Sequence, residues 1–396
     1  MTAYTATTDI LERLIAFPTV SAESNLALVD YSEGLLNAAG FTTQRIPDPV
    51  QAKSGLVARI GPVGAGGVLL SAHSDVVPVC GQAWARPPFQ MTRADGRLYG
   101  RGSTDMKGFL ASMLSLAQRV DAAALAAPLM MVISYDEEIG CQGIRKMMPA
   151  LERLNWAPDL CIVGEPTMMR PATGHKGKAA LRATCHGVAG HSALAPSYVN
   201  ALHLAADFIT ALRDIQADYQ ASGHRDAAYD VPYSTVHAGT VQGGTALNIV
   251  ADSAVITFEL RHLPEDTLEQ FQTRLACAAD RICAPYRARH SEVRIEIETT
   301  NTYPGLEIAP DHPAVQRAAR LAGADDLTAD DPAKVAFGTE AGFLAALDIP
   351  TIVCGPGSMA GQGHKADEYL DLAQLGLCDA MMDRLHADLA CPSTGR

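Results

Sequence analysis

Several short motifs in this sequence place histidine and acidic side chains where they can bind metal ions. His73 begins HSDVVP, Asp105 lies in YGRGSTDMKG, Glu165 lies in GEPT, and His364 lies in GQGHKADEY. Imidazole nitrogens and carboxylate oxygens form the mixed ligand set that suits zinc, cobalt and manganese. Together with Glu138 of the DEE motif, these residues form a candidate set of metal ligands.

Each motif taken alone also fits an ordinary structural role. Asp105 precedes a predicted helix that starts near Lys107, and aspartate favours helix caps. Glu165 and His364 fit loop positions, and a histidine such as His73 near a strand end is more often structural. The combination favours a metal site. Two divalent cations, three carboxylates and one hydroxide would together be neutral, as a partly buried cluster requires.

Two further acidic residues stand beside these candidate ligands. Asp75 follows His73 by two residues, and residues two apart in a strand share a face. Asp75 is therefore predicted to orient the imidazole by accepting its second N–H. Glu137 and Glu138 are neighbours, which point in opposite directions on an extended chain. One can then hold a metal while the other faces the substrate as a base; a solvated acidic loop is the alternative.

Continuous apolar runs precede these polar motifs, as in buried central strands. They are GVLLSAHSD (67–75), PLMMVISYDEE (128–138), DLCIVGEP (159–166) and IPTIVCGPG (349–357). Helical spacing over 9–17, and a second helix that stops at Gly40, are predicted near the N-terminus. Because ligands bind at the carboxyl ends of strands in α/β sheets, this order predicts one cleft that gathers distant residues.

The length of 396 residues predicts two domains. Residues 178–300 contain alternating strands such as AALRATCHG and ADSAVITFELR together with helical stretches, which predicts an inserted α+β unit. Residues 1–177 and 301–396 are predicted to form the α/β catalytic domain.

Composition excludes several classes of function. The net charge of −13, without basic clusters, gives no electrostatic basis for binding nucleic acid. The N-terminus lacks the pattern of a signal peptide, and the longest apolar run (122–133) is shorter than the ~20 residues of a membrane span. We therefore expect a soluble, cytoplasmic protein. Its nine cysteines include no C-x-x-C pair, and we expect them to be reduced and mostly buried.

HSDVVP, YGRGSTDMKG, DEE, GEPT and a late histidine occur in the order typical of the co-catalytic zinc aminoacylase and carboxypeptidase family, which the sequence resembles over nearly its whole length. The resemblance implies a three-layer, zinc-peptidase-like α/β domain with an inserted α+β lid and dimerisation domain, and hence a homodimer. It also implies two divalent metal ions, zinc or else cobalt or manganese. His73 and Glu165 would bind one ion, Glu138 and His364 the other, and Asp105 would bridge them.

The same resemblance implies roles in catalysis. Glu137 would be the general base for a metal-activated hydroxide that attacks an amide. His191, in GVAGHSALAP, would stabilise the oxyanion from the same or the partner subunit; a loop histidine is the alternative. Asn248 in GGTALNIVAD and Arg261 in FELRHLP match positions near the substrate. The Arg261 guanidinium suits a carboxylate, and a surface ion pair is the alternative.

The stretch FGTEAG, with CGPG and GHKADEYL after it, is most similar to acetylornithine deacetylases. This implies cleavage of N-acetyl-L-ornithine, a reaction of arginine biosynthesis. Glu340 in FGTEAG would then pair with the distal ammonium of the substrate, or else support the structure. Succinyl-diaminopimelate desuccinylases, aminoacylases and dipeptidases share the metal centre and remain alternatives.

Two other classes of function are alternatives, and the sequence argues against both. One is a metal-binding protein without catalysis, against which the presence of Glu137 argues. The other is thiol catalysis, but no cysteine lies in a motif with an obvious histidine partner.

Overall fold

The computed structural model describes residues 3–64, 66–324 and 333–390. The helices are α1 (Ala3–Ile15), α2 (Leu26–Ala38), α3 (Gly108–Ala117), α4 (Gln142–Leu154), α5 (Ala201–Ser222), α6 (Leu268–Arg287), α7 (Pro313–Ala322), α8 (Ala341–Ala345), α9 (Met359–Gln362) and α10 (Leu372–Ala390). The strands are β1 (Thr42–Pro47), β2 (Ser54–Ile60), β3 (Val68–His73), β4 (Thr92–Ala94), β5 (Arg97–Tyr99), β6 (Leu129–Ser134), β7 (Leu160–Pro166), β8 (Ala172–His175), β9 (Gly177–His186), β10 (Gly190–His191), β11 (Thr235–Gly243), β12 (Ile249–Val250), β13 (Ser253–His262), β14 (Arg294–Tyr303), β15 (Leu306–Glu307), β16 (Ala333–Val335), β17 (Thr351–Gly355) and β18 (Tyr369–Asp371).

The chain divides into two compact units, each with its own hydrophobic core. The first unit contains the described residues of 1–174, 306–335 and 339–396, and the second contains 175–305 and 336–338. The roles predicted for 1–177 with 301–396 (catalytic domain) and for 178–300 (lid and dimerisation domain) stay predictions.

The first unit is built on a nine-stranded mixed sheet with the order β1-β2-β6-β3-β7-β17-β8-β15, in which β16 pairs with β8. Its centre is parallel, since β3 pairs in parallel with β6 and β7, and β17 pairs in parallel with β7. All residues of β3, β6 and β7 are buried, so both faces of this central region are covered. The carboxyl ends of these parallel strands therefore meet at one edge of the sheet.

Helices pack closely on the central strands. α3 contacts β3 and β7, and it also packs against α1 and α10. At the contact with β7, a Cβ atom on Gly164 would lie 1.9 Å from Cγ of Phe109, so only glycine lets the aromatic ring approach the strand here. This contact fixes α3 beside the residue that follows Gly164, which is Glu165.

The second unit is an α+β sandwich. Its antiparallel sheet has the order β11-β13-β9-β14, and buried residues alternate with more exposed ones along β9 and β13. α5 and α6 pack on this sheet. Their core contains edge-to-face ring pairs in which Phe258 lies 5.8 Å from Phe208 and 6.4 Å from Phe271.

The predicted fold class is confirmed. The apolar runs form β3, β6, β7 and β17, and α2 ends at Ala38, two residues before Gly40, whose φ is +84°. The first helix is longer toward the N-terminus than the sequence pattern indicated, since it begins at Ala3. The cysteines of the described segments are free; six of them are buried, and Cys80 and Cys277 are exposed. Among the described residues, no helix combines the length and apolarity that crossing a bilayer requires.

Stability of the protein is expected to fall as the pH falls below about 6.5, because His175, at the boundary between the two units, is buried. Burial lowers the pKa of His175 from 6.5 to about 4. Between these values the unfolded chain binds a proton that the folded chain does not, so stability is present above pH 6.5 and is lost toward pH 4. We expect His175 to account for about 2 kcal/mol of the loss between pH 7 and pH 5. Urea unfolding of His175→Phe at both pH values should therefore show a smaller pH dependence than the parent chain.

The matched control for this measurement is His203→Phe, since His203 is exposed on α5. It should keep the pH dependence of the parent chain. An unchanged pH dependence in His175→Phe would contradict the prediction.

Candidate metal centre

The first half of the site is built around His73, the last residue of β3. Its Nε2 atom lies 3.1 Å from Oδ1 of Asp105 and 3.6 Å from Oε1 of Glu165, and its side chain is fully buried. Nδ1 lies 3.0 Å from the backbone oxygen of Asp75 and 3.5 Å from the Asp75 carboxylate. The nearer partner that orients the ring is thus the backbone of Asp75, whereas the sequence pattern had predicted its carboxylate.

The second half is built around His364, which follows α9. Its Nε2 atom lies 2.9 Å from Oε2 of Glu138 and 3.4 Å from Oδ2 of Asp105. The two oxygens of Asp105 therefore face the two histidines, one each. This is the geometry that a bridging carboxylate needs, and it differs from the helix-cap alternative, because the residue at the cap position of α3 is Lys107.

The loop that carries Asp105 has an irregular backbone. Gly102 has a φ of +81°, in the left-handed region that favours glycine. The turn Ser103–Lys107 departs from helical angles at Asp105 and Met106, and the peptide bond between these two residues is cis.

The electrostatics of this cluster fit cations. Burial is the main reason that the pKa of Glu137 rises to about 8 and that of Glu138 to about 7, and neighbouring carboxylates add to both shifts. Burial also raises the pKa of Glu165 well above its usual range. Buried carboxylates that face one another are stabilised by divalent cations, and the mixed nitrogen and oxygen donors suit zinc, cobalt or manganese. The residues present therefore fit a pair of metal ions.

The proposed base, Glu137, lies in a loop that begins where β6 ends. The Asp75 carboxylate accepts the backbone N–H groups of Glu137 at 3.0 Å and Glu138 at 3.2 Å, and it also accepts the Ser21 hydroxyl at 2.7 Å. The Cys141 thiol donates to Oε1 of Glu137 at 3.2 Å. Asp75 therefore holds the loop that carries both glutamates.

His191, Asn248 and Arg261 all lie in the second unit. His191 pairs with Ile249 between β10 and β12, and its Nδ1 atom accepts the backbone N–H of Ala193 at 3.1 Å. Nε2 of a neutral ring then carries the proton. Asn248 is exposed, and its backbone oxygen accepts the N–H of Ser192. Arg261 is half-buried and donates to Glu259 at 3.0 Å, as the ion-pair alternative expected.

Glu340 lies at the start of α8 and is fully buried. Its two carboxylate oxygens accept the hydroxyls of Ser71 on β3, at 2.6 Å, and Ser134 on β6, at 2.5 Å. Both oxygens are thus engaged within the sheet. This arrangement favours the structural alternative for Glu340 over contact with a substrate ammonium.

Replacing Glu340 by alanine is expected to destabilise the first unit by about 2–4 kcal/mol, because two buried hydroxyls lose a charged acceptor. The KM for substrate should stay within about twofold, measured together with urea unfolding. Glu340→Gln, which keeps an acceptor, should have a milder effect on stability. A large rise in KM with unchanged stability would instead assign Glu340 to the substrate.

Sequence reasoning missed the residues that support the site. Ser21 donates to Asp75, Cys141 donates to Glu137, and the buried pair Arg101 and Glu368 lies beside the loops of Asp105 and His364. The one feature of the sequence that could have indicated this pair was its spacing from the candidate ligands. Arg101 stands four residues before Asp105 in YGRGSTD, and an acid follows the late histidine in GHKADEY.

A cluster of histidines and carboxylates, buried except for the half-exposed His364, at the carboxyl ends of parallel strands is the arrangement of a metal-dependent hydrolase. Residues 69–388 match the model of Peptidase family M20/M25/M40. The chain is 35% identical over 370 residues to an acetylornithine deacetylase of Klebsiella pneumoniae (strain 342), which covers 92% of each chain. It is 33% identical over 387 residues to an acetylornithine deacetylase of Proteus mirabilis (strain HI4320), with 95% of each chain covered.

Solved structures share the fold at lower identity. A tripeptidase from Staphylococcus aureus superposes with a TM-score of 0.75 at 18% identity, over 98% of each chain. An M20 family metallo-carboxypeptidase from Sulfolobus solfataricus gives a TM-score of 0.74 at 17% identity, over 97% of this chain and 99% of that one. The chain belongs to Peptidase family M20/M25/M40, and it is a metal-dependent amidohydrolase.

Proposed function

We propose that this protein hydrolyses the amide bond of N-acetyl-L-ornithine, releasing acetate and ornithine, a reaction of arginine biosynthesis. The observation that carries the proposal is the 35% identity, over 92% of both chains, to a relative named acetylornithine deacetylase. The described cluster of His73, Asp105, Glu138, Glu165 and His364 supports it, because amide hydrolysis by this chemistry needs a pair of metal ions. A biosynthetic reaction on a free amino acid derivative would take place in the cytoplasm.

We assign His73 and Glu165 to one metal ion, Glu138 and His364 to the other, and Asp105 to both. The distances from Asp105 to the two histidines support the bridging role. Two divalent ions, Zn²⁺ by preference with Co²⁺ or Mn²⁺ as alternatives, would supply the positive charge that acidifies a water molecule and polarises an amide carbonyl.

Glu137 is assigned as the general base. Its carboxylate accepts a proton from the attacking water and passes it to the leaving nitrogen, which becomes the free amine of ornithine. The Asp75 carboxylate accepts the backbone N–H groups of Glu137 and Glu138, so the backbone that carries the Glu137 carboxylate is fixed. Because Cys141 donates to Oε1, the proton is carried on Oε2.

The second unit is proposed to act as a lid and dimerisation unit. Its His191, with a proton on Nε2, has the donor that a developing oxyanion needs, supplied either within one chain or by a partner chain. Arg261 and Asn248 are assigned to the carboxylate and polar groups of the substrate, since a planar guanidinium binds a carboxylate through two parallel hydrogen bonds.

The test measures amine release from N-acetyl-L-ornithine by Zn²⁺-loaded protein. N-succinyl-diaminopimelate, an N-acetylated hydrophobic amino acid and a dipeptide are run alongside as the alternative substrates. We expect release from N-acetyl-L-ornithine to exceed release from each alternative by at least tenfold in kcat/KM. A chelated sample should lose this activity and regain it when Zn²⁺ is restored.

The outcomes separate substrate from mechanism. Faster release from one of the alternatives would transfer the proposal to that substrate and keep the metal mechanism. Activity that survives complete chelation but is lost on thiol blocking would overturn the metal mechanism itself.

A further inference from the structure

We infer that Arg101 and Glu368 act as a pair of positioning residues that brace the two metal-binding loops against each other. The inference rests on the proposed ligand roles of Asp105 and His364. Each loop contributes one ligand and one member of the pair. Arg101 stands four residues before Asp105, and Glu368 stands four residues after His364.

The pair is a buried ion pair. Nη1 of Arg101 lies 2.8 Å from Oε2 of Glu368, and each side chain is only 1% exposed. A buried ion pair depends on the use of its remaining hydrogen-bonding capacity. Here most of that capacity is directed at the backbone of the ligand loops, while the buried Nε–H of Arg101 has no hydrogen-bond partner among the described residues.

Each member of the pair reaches across to the opposite loop. The Glu368 carboxylate accepts the backbone N–H groups of Gly102 at 2.9 Å, Thr104 at 2.9 Å and Asp105 at 3.1 Å. In the other direction, Arg101 donates to the backbone oxygen of Lys365, the residue after His364, at 3.1 Å. The bonding is therefore reciprocal, and it holds the backbone at or beside each ligand.

A third side chain, that of Gln82, adds to the hydrogen bonds of Arg101 and Glu368, and these three residues are called the brace. Gln82 donates to the backbone oxygen of His364 at 2.8 Å, and its own side-chain oxygen accepts from Arg101. The His364 loop requires such support, since His364 has a φ of +61° and a side chain that is 52% exposed. Non-glycine residues adopt that backbone conformation uncommonly, and surrounding contacts help to hold it.

The brace predicts an effect on metal affinity that exceeds its effect on folding. Outer hydrogen bonds to metal ligands commonly change affinity by about 10–100-fold. We expect the double variant Arg101→Met/Glu368→Gln, which removes both charges of the pair together, to bind Zn²⁺ about 10–100-fold more weakly. The measurement is calorimetric titration of metal-free full-length protein with Zn²⁺, with the Tm of the metal-free protein recorded beside it.

The matched control is the pair Arg97 and Asp371, which joins the strands β5 and β18 next to the same loops. Its N–O distance is 3.1 Å, and its side chains are 39% and 45% exposed. Arg97→Met/Asp371→Asn should bind Zn²⁺ like the parent chain. Arg101→Lys keeps the charge but loses the planar fork, so it should weaken binding less than the double variant does.

Parent-like Zn²⁺ affinity in the double variant would overturn the inference, and so would equal losses in the double variant and the control. If the double variant does not fold, Arg101→Lys decides, and unchanged affinity in it overturns the inference. Failure of the parent chain itself to bind Zn²⁺ would be a failure of the proposed metal site, which separates the two conclusions.

Discussion

Replacing Glu137 by glutamine is expected to lower kcat by about 10²–10⁴-fold, the range that general acid–base catalysis usually contributes. Glutamine keeps the size of the side chain but cannot accept and return a proton. The Cys141 thiol and the held backbone should keep the glutamine in place. Metal content should stay at the parent level, because Glu137 is not among the proposed ligands. Steady-state kinetics and metal analysis of the same preparation measure both effects.

The neighbouring residue provides the control for this prediction. Glu138→Gln changes the same functional group one position away, and the Glu138 carboxylate lies 2.9 Å from His364. This variant should lose one metal ion, and excess Zn²⁺ should restore part of its activity. Full activity of the Glu137→Gln variant, or loss of metal from this variant, would contradict the assignment of Glu137 as the base.

Asp105→Asn is expected to lower the affinity for both metal ions. For one ion the loss should exceed about 100-fold, because replacing residues that only hydrogen-bond to ligands already costs up to about 100-fold in affinity. The two Asp105 oxygens face His73 and His364, so an amide nitrogen must replace an acceptor on one side. The substitution also removes a negative charge from a buried cluster and leaves the remaining cationic charge uncompensated. Zn²⁺ titration and metal content after dialysis measure the loss.

The contrast variants are Glu165→Gln and Glu138→Gln, each of which should affect only one ion. Turnover by Asp105→Asn should stay low even in excess Zn²⁺. Two ions bound to Asp105→Asn with parent affinity would show that the bridge lies elsewhere.

Much of the fold followed from the sequence. β3, β6, β7 and β17 are buried on both faces of the sheet, and strands of this kind are mostly apolar. The strands of the second unit could also be predicted, since their residues alternate between a buried and a more exposed face. Helix ends were harder to predict: α1 begins at Ala3, before the first residue of its apolar spacing, because that spacing does not fix where a helix starts.

The candidate ligands were also accessible to sequence reasoning, because histidines and acids at the ends of apolar strands are unusual and the strands fix where they point. Glu340 shows the limit of that approach. The motif FGTEAG left two roles open, and only the positions of Ser71 and Ser134 on β3 and β6 favour the structural one.

The sequence by itself determined the residue types of the site and the strands that carry them, since both are local properties of the chain. Only the tertiary structure decided which oxygen of Asp105 faces which histidine, and that the backbone rather than the carboxylate of Asp75 lies nearest His73. It also brought Glu368 onto the backbone around Asp105. These pairings join segments far apart in the chain, and their distances depend on how the strands and loops pack, which no local pattern records.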